Sequence, residues 1–151
     1  MVNTMRAVAK APAGYKTRAW GEAHVRRILS VSEFPADHSS LRCAFDNQNW
    51  QVEEASTYQQ AVASLCRARA DVVICDSHLP DGTWKDLLGH IAAIPDPPAL
   101  VVSSAAGDEH ICAEVRNLGG YGVLKKPFNV NEVQQIVFSA WQARSGSVAV
   151  A

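Results

Sequence analysis

Apolar positions along this chain form two kinds of pattern that alternate from about residue 25 onward. Ile28-Leu29-Ser30-Val31, Val72-Val73-Ile74-Cys75 and Leu100-Val101-Val102 are short, nearly continuous apolar runs rich in β-branched residues. Runs of that length read as strands buried on both faces. Trp50-Gln51-Val52-Glu53 alternates apolar and polar, as a strand near a sheet edge does, and Tyr121 to Leu124 is a further short strand. Between the strands the spacing becomes helical. Ala36 to Asp46 carries Leu41 and Phe45 on one face. Thr57-Tyr58-Gln59-Gln60 has the form of a capping box, opening a helix with Val62, Leu65 and Cys66 inward. Trp84, Leu87, Leu88 and Ile91 share a helical face. Ile111, Val115 and Leu118 share another, stopped by Gly119-Gly120. Asn129-Val130-Asn131-Glu132 is a second capping box, and behind it Val133, Ile136, Val137, Ala140 and Trp141 follow the spacing of an amphipathic helix.

Five strand–helix units with short loops predict an α/β fold, a parallel sheet covered by helices on both faces in three layers. For a doubly wound sheet of five strands the common order is 2-1-3-4-5, the flavodoxin-like arrangement, with right-handed crossovers. The folded domain is expected over residues 25–143. Residues 1–24, which include Pro12 and Gly14, read as a basic, disordered tail, and residues 144–151 as a frayed carboxyl-terminal tail.

Composition narrows the function. The chain has 151 residues and a net charge of −1, but residues 1–24 hold four basic side chains against one acidic. The folded region is therefore mildly acidic, which argues against direct nucleic-acid binding. No stretch approaches the ~18–20 apolar residues that span a bilayer. Cys43, Cys66, Cys75 and Cys112 have no metal-type spacing and read as reduced core thiols of a cytoplasmic protein.

In a parallel sheet all carboxyl strand ends lie on one edge, where such folds bind ligands. The first strand ends at Ser32-Glu33, the third at Asp76, the fourth at Ser103-Ser104 and the fifth at Lys125-Lys126-Pro127. One edge thus gathers carboxylates, hydroxyls and an ammonium, an inventory suited to phosphoryl chemistry. Asp37 and Asp81 read as a helix-start and a turn carboxylate. His78 reads as an exposed turn residue, and Trp84, Trp141 and Tyr121 as packing residues.

At these residues the chain resembles a family. Ile28-Leu29-Ser30-Val31-Ser32-Glu33, Val73-Ile74-Cys75-Asp76 with Leu79-Pro80, Val101-Val102-Ser103-Ser104-Ala105 and Leu124-Lys125-Lys126-Pro127-Phe128 are similar, in order and separation, to the motifs of the receiver domain of bacterial two-component response regulators, with a CheY-like fold. The resemblance covers residues ~25–142. It implies that Asp76 is the phosphoacceptor, served by a phosphohistidine on a sensor histidine kinase or phosphotransfer protein. It implies Mg²⁺ held by Glu33, Asp76 and the backbone carbonyl of His78, Ser104 as the hydroxyl that turns onto the phosphoryl group, and Lys126 as its cationic partner. It also implies a cis Lys126-Pro127 bond. Beyond its own phosphorylation and slow dephosphorylation such a domain is not an enzyme. Its contact surface is the fourth helix, fifth strand and fifth helix (Ile111 to Trp141), through which it meets a downstream protein or a second copy of itself.

Three positions depart from the family pattern. Ser32 stands where the family has an acid. Coulomb's law puts one carboxylate ~5 Å from a divalent cation at roughly 2 kcal/mol even in a water-like dielectric, so Mg²⁺ is expected to bind weakly unless another group compensates. Asp37, a helical turn away, is one candidate. Val123 replaces an aromatic that rotates inward on activation; Tyr121, two residues earlier on the same strand face, is a candidate substitute. Trp84 replaces a glycine. The leading expectation is a single-domain phosphorylated receiver. Ser32 and Val123 instead favour a pseudo-receiver that binds proteins without phosphorylation. A flavin-binding protein or enzyme on the same fold is disfavoured, because Phe34-Pro35-Ala36 follows the first strand in place of a glycine-rich phosphate loop.

Overall fold

The computed structural model describes residues 25–46, 49–105 and 109–150; the expected tail over residues 1–24 lies outside them. Among the described residues seven strands and five helices follow in the order β1 (Arg26–Val31), α1 (Pro35–Ala44), β2 (Trp50–Ala55), α2 (Tyr58–Arg67), β3 (Val72–Asp76), β4 (His78–Leu79), β5 (Gly82–Thr83), α3 (Trp84–Ala92), β6 (Ala99–Ser104), α4 (Glu109–Leu118), β7 (Gly122–Lys125) and α5 (Val130–Val150). Five strands form one parallel sheet in the order β2-β1-β3-β6-β7. Setting aside the small β4-β5 hairpin, this is the expected order 2-1-3-4-5. The hairpin is the form taken by the turn at Pro80-Asp81-Gly82.

Helices cover both faces of the sheet. Because side chains alternate along a strand, Ile28, Val72, Ile74, Val101 and Leu124 point to one face, against Leu41 and Ala44 of α1 and Val133, Val137 and Ala140 of α5. Leu29, Val31, Val73, Cys75, Leu100 and Val102 point to the other, against Ala61 of α2, Leu87 and Ile91 of α3 and Val115 of α4. All five residues of β3 are buried, as its unbroken apolar run requires.

Local chemistry places the helix ends. Pro35 opens α1, where its missing N–H costs nothing. The Thr57 hydroxyl accepts from Gln60 N–H, while the Gln60 side chain reaches back to Ser56 N–H. Asp81 accepts from the N–H groups of Tyr58 and Gln59, so it caps the first turn of α2 from the β4-β5 turn. Desolvation alone would raise the Asp81 carboxyl, but these two amides together with its own backbone N–H hold it below its ordinary range. Thr83 and Asp86 form a capping box on α3, and Trp84 behind it is buried in the core.

Helix α5 runs as far as Val150. Its Arg144 guanidinium donates to the Pro97 carbonyl at 2.8 Å and pairs with Asp71 at 3.5 Å and Asp96 at 3.3 Å, with its side chain only 9% exposed. Two expectations need correction. Of the four cysteines expected in the core only Cys75 is buried; Cys43 on α1, Cys66 on α2 and Cys112 on α4 are exposed. Tyr121 does not share a face with Val123. It precedes β7 and packs with the cluster under α1 and α5, whereas Val123 packs with the cluster under α2, α3 and α4. The backbone reaches β7 through Gly119, at φ +110°, and Tyr121 N–H bonds Leu100 O, so the strand alternation begins only at Gly122.

Candidate functional site

The alternation that builds the core also builds the site. Ser30 and Ser32 follow Ile28 at period two, and Asp76 follows Val72 and Ile74, so all three face α1. There the first turn of α1 meets them. His38 Nε2 donates to the Ser32 carbonyl at 2.9 Å, and its Nδ1 bonds the Ser30 hydroxyl at 2.7 Å. A carbonyl only accepts, so Nε2 carries a proton. The Ser32 hydroxyl donates to Asp37 Oδ2 at 2.7 Å and accepts from Phe34 N–H at 3.1 Å.

Lys126 follows directly on the end of β7, and its bond to Pro127 is cis. Its ammonium lies 2.6 Å from Asp37 Oδ2 and 3.0 Å from Asp76 Oδ2, bridging the two carboxylates. Burial alone would lower the Lys126 pKa. Hydrogen bonds to Asp37 and Asp76, with their charges, outweigh it and hold Lys126 above the ordinary lysine value. The exposed Phe34 ring lies 5.2 Å from the same ammonium. The other Asp76 oxygen, Oδ1, accepts from Ser77 N–H at 2.8 Å. Asp76 is 6% exposed, and both of its oxygens have donors, which is how a carboxylate tolerates burial. Lys125, by contrast, is exposed on β7, so Lys126 is the lysine that converges.

Asp76 opens into a cleft lined also by Glu33, His78, Ser104 and Lys126. Ser104 ends β6, and its carbonyl accepts from Lys126 N–H at 3.1 Å. Ser103 pairs with Asp76 in the sheet register and is buried outside the cleft lining. Glu33 and the ring of His78 are exposed. All five residues read from the sequence as site residues are thus at one edge. Sequence reasoning treated Asp37 as a helix-start carboxylate first and a compensating group second, and it missed His38. The signal for both was present: Asp37, Leu41 and Ala44 share one helical face, and His38, Leu41 and Phe45 its neighbour, pointing toward Ser30 and Ser32.

A family model described as the response regulator receiver domain matches residues 28–138. The chain belongs to the response regulator receiver domain family. Among curated relatives, this receiver is 26% identical over 122 residues to the KDP operon transcriptional regulatory protein KdpE of Escherichia coli, covering 81% of this chain and 54% of that regulator. It is 23% identical over 111 residues to sporulation initiation phosphotransferase F of Bacillus subtilis, covering 74% of this chain and 90% of that protein. The chain therefore spans about half of the first relative and most of the second. Solved structures share its fold. The signal receiver domain of an HD domain-containing protein from Pseudomonas fluorescens superposes with a TM-score of 0.73 at 22% identity, covering 82% of this chain and 99% of that one. Vibrio cholerae chemotaxis protein CheY4 superposes with a TM-score of 0.70 at 19% identity, covering 78% and 99%.

The receiver family generally uses Mg²⁺, and the residues here fit it. Among the described residues no three His, Cys, Asp or Glu side chains gather closely enough to hold a metal by themselves. Mg²⁺ asks for less, one or two carboxylates completed by water and phosphate oxygens. Glu33 and Asp76 line one cleft with His78, and their hard oxygen donors suit the ion. Beside the site, burial and then the Asp76 charge push the Cys75 thiol up to about 12, so it is no nucleophile.

Proposed function

We infer that this receiver accepts a phosphoryl group on Asp76 from a phosphohistidine of a sensor histidine kinase or phosphotransfer protein, with Mg²⁺, and signals by protein contacts. The observation that carries this reading is the setting of Asp76. It is a buried carboxylate at the end of a central strand, held at Oδ1 by Ser77 N–H and at Oδ2 by Lys126, and open on one side to a cleft that Glu33, His78 and Ser104 also line. An Asp76 oxygen attacks phosphorus, the phosphorus–nitrogen bond to histidine breaks, and the imidazole leaves with the bond electrons and takes up a proton. Lys126 offsets charge on the carboxylate and then on the phosphoryl oxygens, and Ser104 is placed to donate to them. Bound Mg²⁺, held by Glu33, Asp76 and the His78 carbonyl, would supply further neutralisation of phosphoryl charge.

Apart from this self-phosphorylation and its slow hydrolysis, the receiver is read as a signalling domain, not as an enzyme acting on other substrates. Its output face is read as α4, β7 and α5, where Cys112, Arg116, Val123, Glu132 and Ile136 line a groove open to a target protein or a second copy. No helix among the described residues is long and apolar enough to cross a membrane. A cytoplasmic domain without direct nucleic-acid contact fits that and the acidic balance of the folded region. The B. subtilis relative is a phosphotransferase by name, which supports a place in a phosphorelay.

A second reading, a pseudo-receiver that binds partners without phosphorylation, draws on Ser32 and Val123. Acetyl phosphate with Mg²⁺, read by intact mass, separates the two. An adduct of ~80 Da that is lost with a chelator supports the first. A clean absence, also with a phosphorylated histidine donor, supports the second.

A further inference from the structure

The departure at Ser32 removes a carboxylate from the place where receivers keep one, yet the site does not lack a charge. Asp37 Oδ2 accepts from both the Ser32 hydroxyl and the Lys126 ammonium. Lys126 touches Asp76 Oδ2 as well, so the two carboxylate oxygens are no farther apart than those two short contacts laid end to end. Three carboxylates, Glu33, Asp37 and Asp76, therefore stand against one ammonium, a surplus of two negative charges that a divalent cation neutralises. Ser32 is held for this task. His38 fixes its carbonyl, Phe34 N–H occupies one hydroxyl lone pair, and the hydroxyl proton is directed at Asp37.

We propose that Asp37, held by Ser32, does the work of the missing acid: it supplies a third carboxylate charge beside Glu33 and Asp76 at the Mg²⁺ site and keeps Lys126 beside Asp76. Asp37 lies behind Lys126 and is not among the residues lining the cleft. It is a positioning and electrostatic residue, acting through charge and through the lysine. This rests on the reading of the cleft as a phosphoryl-accepting Mg²⁺ site, and it changes what Ser32 means. The serine is one half of a two-residue replacement, a hydroxyl on the strand and a carboxylate on the following helix.

The test is Mg²⁺ affinity by isothermal titration calorimetry, a readout independent of phosphorylation, on the wild-type chain and three variants whose melting is recorded alongside. Asp37→Asn keeps the shape and the hydrogen-bonding capacity but removes the charge; it should bind Mg²⁺ about tenfold more weakly. Ser32→Ala leaves every charge in place and loosens Asp37; a loss of roughly twofold to threefold is expected, smaller than that of Asp37→Asn because charge outranks hydrogen-bond geometry. Ser32→Asp/Asp37→Asn moves the carboxylate back to the strand and should return the affinity to near the wild-type value. Wild-type affinity in Asp37→Asn overturns the proposal. If Asp37→Asn is too unstable to titrate, the double variant decides: affinity near wild type supports the proposal, and affinity well below it overturns it. A wild-type chain that binds Mg²⁺ with Asp37-dependent affinity yet takes up no phosphoryl group would defeat the functional reading and leave this one standing. Phosphorylation with an Asp37→Asn affinity equal to wild type would do the reverse.

Discussion

Replacing Lys126 with methionine keeps the apolar stem and deletes the ammonium that bridges Asp37 and Asp76. The three side chains are 16%, 15% and 8% exposed, so neither bulk water nor a dry interior describes their surroundings. An effective dielectric of ~20 suits such a site. Two carboxylates left facing each other at ~5 Å then repel by about 332/(20 × 5), roughly 3 kcal/mol. Each lost charge-assisted hydrogen bond is a further loss of roughly 1.5–3 kcal/mol before water takes its place. A net destabilisation of about 3 kcal/mol is the expected outcome, a drop in melting temperature of roughly 10 °C for a domain of this size. Circular dichroism melts at neutral pH and low salt read it directly. Two companion measurements identify the cause. Mg²⁺ should raise the variant's melting temperature more than that of the wild type, because the cation replaces the missing charge. Asp76→Asn added to Lys126→Met should recover part of the loss by removing the repulsion. A variant melting within ~2 °C of wild type, or one whose loss neither Mg²⁺ nor Asp76→Asn relieves, would refute the bridged-carboxylate account.

Other outcomes follow from the same geometry. Lys126 is held above its ordinary value, so its pairing stabilises the fold fully below the unfolded-state value near ~10.4 and is lost as pH rises through the higher folded value. The gap in urea stability between wild type and Lys126→Met should therefore be constant from about pH 7 to 10 and close above that. Ser32→Asp alone places a carboxylate against Asp37 Oδ2, which the serine hydroxyl now meets at 2.7 Å; it should lower the metal-free melting temperature while tightening Mg²⁺ binding, and unchanged affinity in calorimetry would count against it. Thiol titration of the native chain should find Cys43, Cys66 and Cys112 reactive and the buried Cys75 slow. A Cβ at Gly120 would sit 2.5 Å from Cγ1 of the fully buried Val115, so Gly120→Ala should destabilise by about 1–3 kcal/mol in denaturant unfolding.

Hydrophobic patterning made the fold legible because each sheet strand carries a short apolar run and each helix an apolar stripe, and the order of five parallel strands follows from their connections. The strand-end residues were legible for the same reason, since a parallel sheet brings every carboxyl end to one edge. Less visible was what the first turn of α1 does. Asp37 and His38 follow Pro35 at the start of a helix, where a carboxylate is favourable for the helix dipole alone. Only the pleat of β1, which turns Ser30 and Ser32 toward α1, shows that the same turn enters the site. Tyr121 was misplaced because strand alternation was extended one residue too far into the turn after Gly119-Gly120. The last turns of α5 were less legible because residues 145–150 are small, with no apolar stripe to mark a helix. The tie at Arg144 depends on Asp71 and Asp96, which are distant in sequence.

The central claim is that Asp76 carries a phosphoryl group. Its most direct test is intact mass after incubation with acetyl phosphate and Mg²⁺, with the adduct located by fragmentation. The account predicts a single adduct of ~80 Da on Asp76, dependent on Mg²⁺ and absent from a folded Asp76→Asn variant. No adduct on wild type, or an equal one on Asp76→Asn, would contradict it.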